Sequence, residues 1–423
     1  MTRGTIARNV ARGAFWISVE KVVSIASTIL YTALIARWLG PTKYGLFKTA
    51  FAIIGVATVL TGNFETFLER YAAEYQVQGR FTRLARAHRI ALAFKLVLGA
   101  LTSAIVLLVT PTLARHYEMP SLLVLLPALS LFIATDGLAT TGRAMLFGLQ
   151  RFKWVSGVSL IFNLGRTLLV GALWHLRQGL PELAVGLAAI NTVQAVVMTV
   201  AAFVALRVAR REWRDPEPPA PESEPGLLRG MFGYCLPLYG AKAAFLSGQN
   251  LSTLVLAKLL DTTALGYFTF AFQTVERIVE LLYALPSALL PSLTQLVARD
   301  ERDRLQDIFG QAFRLIQVAA VVTSFGMIVF APELVVLVGS PLFQPAIPYL
   351  RVLALVPVVR TAQQPLTMLF QAMRRPGHVL WLAVLKVCTE ASGYVFVLLL
   401  PLGAMGASGA NLAGAVVSFI GAM

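Results

Sequence analysis

Lys21 and Lys242 stand 221 positions apart, each inside a long apolar run. Arg166, Lys386 and Arg360 are also cations set in apolar surroundings. An ionisable side chain in hydrocarbon costs on the order of 2.5–3.5 kcal/mol on insertion scales, so it needs a partner or a watery cavity. Several cations converging on one cavity would suit an anion, above all a phosphate or diphosphate, because ammonium and guanidinium groups form charge-assisted hydrogen bonds to phosphate oxygens. The competing reading pairs each cation with an acid or lets it snorkel to a headgroup. Glu20 beside Lys21, and Glu390 one turn from Lys386, support that alternative. Lys95 needs only to snorkel.

The acids in apolar runs are Glu65, Glu69, Asp136, Glu276, Glu280 and Glu390. Glu276 and Glu280 share a helical face one turn apart, with Arg277 next to them. Desolvation moves carboxylate titration toward neutral pH, which lets a membrane acid carry a proton. Glu276, Glu280 and Asp136 are therefore candidates for ion coupling, against the alternative of static pairing with Arg277 or a neighbouring cation. Other chemistry finds little footing. Cys235 and Cys388 lie in apolar segments and the 4 histidines are scattered, so no disulfide framework or metal site is expected. The glycine-rich stretch 403–409 is not followed by Lys-Ser or Lys-Thr, so it is no phosphate loop. No triad or ATP motif is present, and no loop is long enough for a soluble catalytic domain. The expectation is a protein that is not an enzyme and needs no cofactor.

These residues must be positioned by membrane helices. Of 423 residues 57% are hydrophobic and 13% charged, with a mean hydropathy of +0.72. Apolar runs of about 20 residues recur along the chain, the span of a bilayer core. Run length, without period-two alternation, selects helices over barrel strands. The reading is an all-α polytopic membrane protein with twelve helices, at roughly 14–36, 45–69, 88–110, 121–148, 154–176, 183–206, 230–258, 264–292, 308–331, 345–371, 378–400 and 403–423. Pro286, Pro291, Pro357 and Pro365 predict kinks in the eighth and tenth. Glu20 and Lys21 interrupt the first apolar run, so the first helix is expected to stay as an anchor rather than be cleaved.

The net charge of +15 has a topological rather than a nucleic-acid reading. Arg3, Arg8, Arg12, Arg70, Arg80, Arg83, Arg86, Arg89, Arg151, Lys153, Arg207, Arg210, Arg211, Arg214, Arg299, Arg302, Arg304, Arg374 and Arg375 gather on one side. The other side has little beyond Arg37, Lys43, Arg115, Arg177 and Lys258. The positive-inside rule then places both termini in the cytoplasm.

The chain is also one unit written twice. At the same offset Ala36, Leu39, Gly45, Phe47, Ala50 and Phe51 match Ala257, Leu260, Gly266, Phe268, Ala271 and Phe272. Pro111, Pro120 and Pro127 match Pro332, Pro341 and Pro348, and after a small drift Arg166 corresponds to Lys386 and Asn191 to Asn411. So many matches in order indicate a duplication. The expected division is an N-lobe over 1–206, a proline- and glutamate-rich cytoplasmic linker over 207–228, and a C-lobe over 229–423. Six helices per lobe insert the same way up, so the pseudo-two-fold axis should run along the membrane normal, with a site near the midplane. The register also predicts that the last helix continues beyond Met423 into a basic tail.

The stretch Ala36 to Phe47, ARWLGPTKYGLF, resembles the A-R-x-L-G-P-x-x-Y-G-x-F signature of Wzx-type polysaccharide flippases. Arg70 to Glu74, RYAAE, is similar to their R-[FY]-x-A-E ending. Those proteins belong to the multidrug/oligosaccharidyl-lipid/polysaccharide (MOP) superfamily, with MATE exporters and the lipid II flippase MurJ as cousins. The resemblance covers essentially the whole chain and implies a MATE/MurJ-like fold. It further implies transfer of undecaprenyl-diphosphate-linked oligosaccharide, an O-antigen or exopolysaccharide repeat unit, from the cytoplasmic to the periplasmic leaflet of the inner membrane. Alternating access, ion-gradient coupling, and partnership with membrane lipids, a polysaccharide polymerase and glycosyltransferases come with it. Arg37, Gly40, Gly45, Arg70 and Glu74 would form a gate or loop motif. Glu65 departs from the pattern, since many relatives carry a small or apolar residue there. Rival readings are a MATE-like antiporter, which would want an acid-dominated cavity, a lipid II flippase, and a non-transporting envelope scaffold. A membrane glycosyltransferase would want a long periplasmic loop, which is absent from the sequence.

Overall fold

A backbone in lipid has only its own segment to hydrogen-bond with, and the apolar runs accordingly become helices. The computed structural model describes residues 3–213, 226–283, 302–372, 376–399 and 403–421, and no strand occurs among them. The helices are α1 (Arg3–Val59), α2 (Glu65–Val77), α3 (Phe81–His116), α4 (Leu122–Gly148), α5 (Phe152–His175), α6 (Leu180–Glu212) and α7 (Leu227–Leu259). They continue with α8 (Thr262–Leu282), α9 (Arg302–Val329), α10 (Ala331–Val338), a 3-10 turn (Pro341–Ala346), α11 (Ile347–Leu353), α12 (Val356–Ala372), α13 (Pro376–Leu399) and α14 (Gly403–Ile420).

Among the described residues seven helices are long and apolar enough to cross a membrane, and eight if the pair Pro341–Leu353 and Val356–Leu366, bent by 42°, forms one span. Large apolar side chains stand outward on them, such as Leu108 at 80% exposure and Phe325 at 67%. Water would not tolerate so many, whereas acyl chains do. The protein is a multi-pass membrane protein.

Several boundaries differ from the sequence reading. The first two expected helices form one element bent at Gly40, where φ 67 and ψ 174 lie in a region that only glycine enters readily. Pro41 follows, and a helix restarts easily from a proline at its first position. The expected span 45–69 ends at Val59 and restarts at Glu65 after a turn through Gly62. The expected span 345–371 breaks at Ala354 and Leu355, just ahead of Pro357, which has no N–H to donate to the carbonyl four residues back at Leu353. Pro286 and Pro291 lie outside the described residues.

The chain packs as two compact units, one of Met1–Tyr31 with Ile53–Ala243 and the other of Thr32–Ala52 with Ala244–Met423. The sequence repeat and these units are different divisions, the one recording duplication and the other packing. In the first unit α4 lies at the centre against α3, α6 and α2. Small residues let the backbones close. A methyl on Gly99 would strike the Ala134 backbone, and one on Gly148 would strike Ala72 and the Leu68 carbonyl. This is the packing that membrane helices use when lipid supplies no hydrophobic drive between them.

In the second unit α13 packs on α14, α9 on α12, and α8 on α11. Its aromatic core joins Phe270, Phe343 and Tyr44, with Phe270 and Phe343 centroids 4.5 Å apart and Tyr44 edge-on to Phe343 at 5.9 Å.

Candidate functional site

The signature hairpin is built into the second unit, and Tyr44, Gly45 and Arg37 each have a packing or hydrogen-bonding role in it. Tyr44 is fully buried in the aromatic core. Gly45 crosses α8 so closely that a methyl there would collide with the Thr262 carbonyl oxygen. Arg37 Nη2 donates to the Val336 carbonyl at 3.2 Å and to that of Leu337. These carbonyls lie at the C-terminal end of α10, where helix acceptors lack internal partners and a cation is favoured.

Beside this hairpin the second unit holds a cavity of about 370 Å³, lined by Asn250, Gln273, Glu276, Arg277, Glu280, Tyr283 and Arg360 together with Phe272 and Val279. Arg360 from α12 donates through Nη1 to Glu276 Oε1 of α8, and its guanidinium lies 5.9 Å from the Tyr283 ring centroid. Arg277 Nη1 donates to Glu280 Oε2 at 2.7 Å, one turn along α8, and Nη2 donates to Gln273 Oε1 at 3.3 Å. Lys386 and Glu390 on α13 form a looser pair at 3.6 Å, and Lys386 lies within electrostatic range of Arg360 and Glu276. Lys48, the residue after the signature segment, feels the charge of Arg277 and sits 5.2 Å from the Tyr44 ring centroid. Arg277, Arg360, Lys386 and Lys48 thus gather against Glu276, Glu280 and Glu390 in one region. This arrangement can hold an anion if the acids yield.

In the first unit the half-buried cation Arg166 is held differently. Arg166 Nη2 donates to Asn191 Oδ1 at 3.1 Å and to Gln194 Oε1 at 2.5 Å, while Nη1 reaches Asn163 Oδ1 at 3.3 Å. Asn191 Nδ2 in turn donates to Thr135 Oγ1 at 2.9 Å, and Asn163 Nδ2 to Ser24 Oγ at 2.8 Å. The Asp136 carboxylate also lies within electrostatic range of Arg166. Side-chain amides thus supply these hydrogen bonds to the guanidinium. Arg166 and Lys386, equivalent in the repeat, therefore sit in unlike settings.

Lys21 is half-buried and makes no ion pair or hydrogen bond among the described residues. Its sequence neighbour Glu20 pairs instead with Arg143 at 3.5 Å. Adjacent positions on a helix do not face each other, and this decides the pairing. The Lys242 side chain lies outside the described residues. Lys95 does not snorkel: it is 3% exposed, 2.9 Å from Glu65, and donates to the Gly62 carbonyl at 2.7 Å. The same pair gives the buried Glu65 its counter-charge. In the middle of α2, Arg70 lies 5.0 Å from the Tyr234 ring centroid and 5.3 Å from that of Tyr71, and one turn on Glu74 accepts from Gln78 at 3.2 Å.

Residues 10–297 match the polysaccharide biosynthesis protein family. The chain belongs to that family. Residues 237–419 of this polysaccharide biosynthesis protein also match the MatE family. No curated protein matches the chain. Among solved structures it is similar to an inward-facing multidrug resistance MATE family transporter of the MOP superfamily, at 14% identity and TM-score 0.72, covering 96% of each chain. It is similar to the lipid II flippase MurJ in an inward closed conformation, at 12% identity and TM-score 0.68, over 97% of this chain and 86% of that one. A MOP superfamily transporter from Pyrococcus furiosus, described as having a binding pocket of reversed polarity, is similar at 15% identity and TM-score 0.64, over 96% of this chain and 93% of the other. The fold of the chain is thus that of MOP-superfamily transporters.

Sequence reading missed two groups in this family member. Lys48 sits in an apolar run like the cations that were noticed, but close enough to the run's start to pass for an interfacial lysine. In the sequence Arg277 reads only as a counter-ion for its neighbours, whereas it lines the cavity in its own right. Its position inside the same apolar run as Glu276 was the available signal.

Proposed function

We propose that this protein is a flippase that moves polyprenyl-diphosphate-linked oligosaccharide from the cytoplasmic to the periplasmic leaflet of the inner membrane. The glycan is an O-antigen or exopolysaccharide repeat unit, transport proceeds by alternating access coupled to an ion gradient, and both termini are cytoplasmic. The observation that carries this reading is the cavity in which Arg277 and Arg360 stand with Asn250, Gln273 and Tyr283. Guanidinium forks match phosphate oxygens, and amides and a phenol match hydroxyl-rich sugars. Membership of a polysaccharide biosynthesis family supports the glycan class. The head group would meet these side chains while the polyprenyl tail stays in lipid, and no bond is made or broken. Undecaprenyl diphosphate is the expected carrier, with glycosyltransferases supplying the substrate and a polymerase consuming it.

Glu276 and Glu280 line the same cavity and favour a second reading, a MATE-like antiporter of cations. The likeness to MurJ leaves lipid II as a third substrate. Expression in a strain lacking its own flippase separates these. Restored surface polysaccharide without added drug resistance is the expected result. Drug resistance alone would establish the antiporter, and rescue only of a lipid II flippase mutant would establish the third.

A further inference from the structure

Both arginines of the second-unit cavity are already neutralised from within. Arg360 is held by Glu276, with the side chains 10% and 19% exposed, and Arg277 by Glu280, at 30% and 50%. Each guanidinium nevertheless keeps unused donors, since it offers five N–H groups and a carboxylate takes one or two. The Nε–H of Arg277 is buried and meets no acceptor among the described residues.

We infer that Glu276 and Glu280 are resident counter-ions that hold the anion positions of Arg360 and Arg277 in this cavity, so that a ligand with two linked phosphates displaces them and a ligand with one phosphate does not. This rests on the function proposed above and adds how such a site tells a lipid diphosphate from ordinary phospholipids, each carrying a single head-group phosphate in the same membrane.

The physical basis is competition by tethered groups. A carboxylate fixed beside its arginine acts at an effective concentration of order millimolar or higher, and a free anion must beat it. A single phosphate gains one arginine and strands one carboxylate. Two linked phosphates turn the second displacement into an intramolecular step, which is worth about 10²–10⁴ in affinity where the geometry permits both contacts. A diphosphate diester also brings two negative charges, matching the two carboxylates it replaces. The displaced groups have somewhere to go. Glu280 is half exposed, and Glu276 lies within electrostatic range of Lys386, whose own partner Glu390 is 3.6 Å away. Selectivity thus comes from an interaction that penalises the wrong ligand, a common route to specificity.

The test uses the purified full chain in detergent, with inorganic pyrophosphate and inorganic phosphate as probes in titration calorimetry. The wild type is expected to bind pyrophosphate at least about 100-fold more tightly than phosphate. The Glu276→Gln/Glu280→Gln variant should bind phosphate about tenfold more tightly than the wild type does, so that the ratio collapses. Loss of Glu276 leaves Arg360 without its counter-ion, so Glu280→Gln alone, at the half-exposed pair, is run alongside and should gain phosphate affinity several-fold. An unchanged ratio in both variants, or weaker phosphate binding, overturns the inference while wild-type pyrophosphate binding leaves the functional proposal standing. A wild type that binds no pyrophosphate and restores no surface polysaccharide overturns both.

Discussion

Thr42 Oγ1 lies 2.8 Å from Thr263 Oγ1, and the two residues stand 221 positions apart, one repeat length. Around them the same symmetry continues. A methyl on Gly45 would strike the Thr262 carbonyl and crowd the Gly266 nitrogen, and a methyl on Gly266 would strike the Pro41 carbonyl. Each copy of the signature therefore packs on the other copy through a self-complementary contact, the geometry of a two-fold interface inside a single chain. The threonine pair contributes about 0.5–1.5 kcal/mol, as an ordinary hydrogen bond does. The glycines permit the approach.

Gly45→Ala and Gly266→Ala are each expected to destabilise the protein by about 1–3 kcal/mol, the usual cost of overpacking a closed contact. Gly157→Ala is the control, because no atom lies within 4 Å of a methyl there. It should hold or raise the melting temperature, as replacing a helical glycine does. Thermal unfolding in detergent reads all three, and equal melting temperatures would remove the crossing as a structural determinant.

Lys95→Ala should lower stability by about 3–5 kcal/mol, because Glu65 would be left charged without its partner in an apolar setting. The Glu65→Leu/Lys95→Leu double variant should recover most of that loss, since a well-packed apolar pair often replaces a buried ion pair at little cost. A double variant no more stable than Lys95→Ala would show that Lys95 matters for something other than charge balance.

Lys21→Ala/Lys242→Ala is expected to abolish restoration of surface polysaccharide while expression and membrane insertion stay at wild-type levels. The two positions are equivalent in the repeat, and Lys21 has no ion pair among the described residues that would make it structural. Full rescue by a normally inserted double variant contradicts the assignment. Arg166→Leu, by contrast, strands three amide oxygens and should lower thermal stability as well as transport, by roughly 1.5–3 kcal/mol for a hydrogen-bonded charge.

Cleaving the chain between Trp213 and Gly226 should yield two pieces that assemble when co-expressed. Residues 32–52 travel with the first piece yet pack against residues of the second, through Tyr44, Gly45 and Arg37. Co-purification of the halves is the expected outcome, and Gly45→Ala should weaken it. Halves that never co-purify would mean that covalent linkage is required.

The sequence alone was enough to reveal a polytopic helical protein, an internal repeat and the charged residues set within its apolar runs. Each of these follows from local composition or from repetition, and hydrocarbon enforces both: an apolar run must be helical, and a charge inside one must be answered. What answers each charge was not legible. Adjacent residues on a helix point about 100° apart, so Glu20 beside Lys21 in the chain pairs with Arg143 in space. Glu65 found Lys95 on the next helix, and Glu276 found Arg360 across 84 positions rather than Arg277 at its side. The signature motif was recognisable as a string, but its meaning lay in the second copy that it packs against. Only the tertiary fold brings residues distant in sequence within the few ångströms over which ion pairs and close packing act.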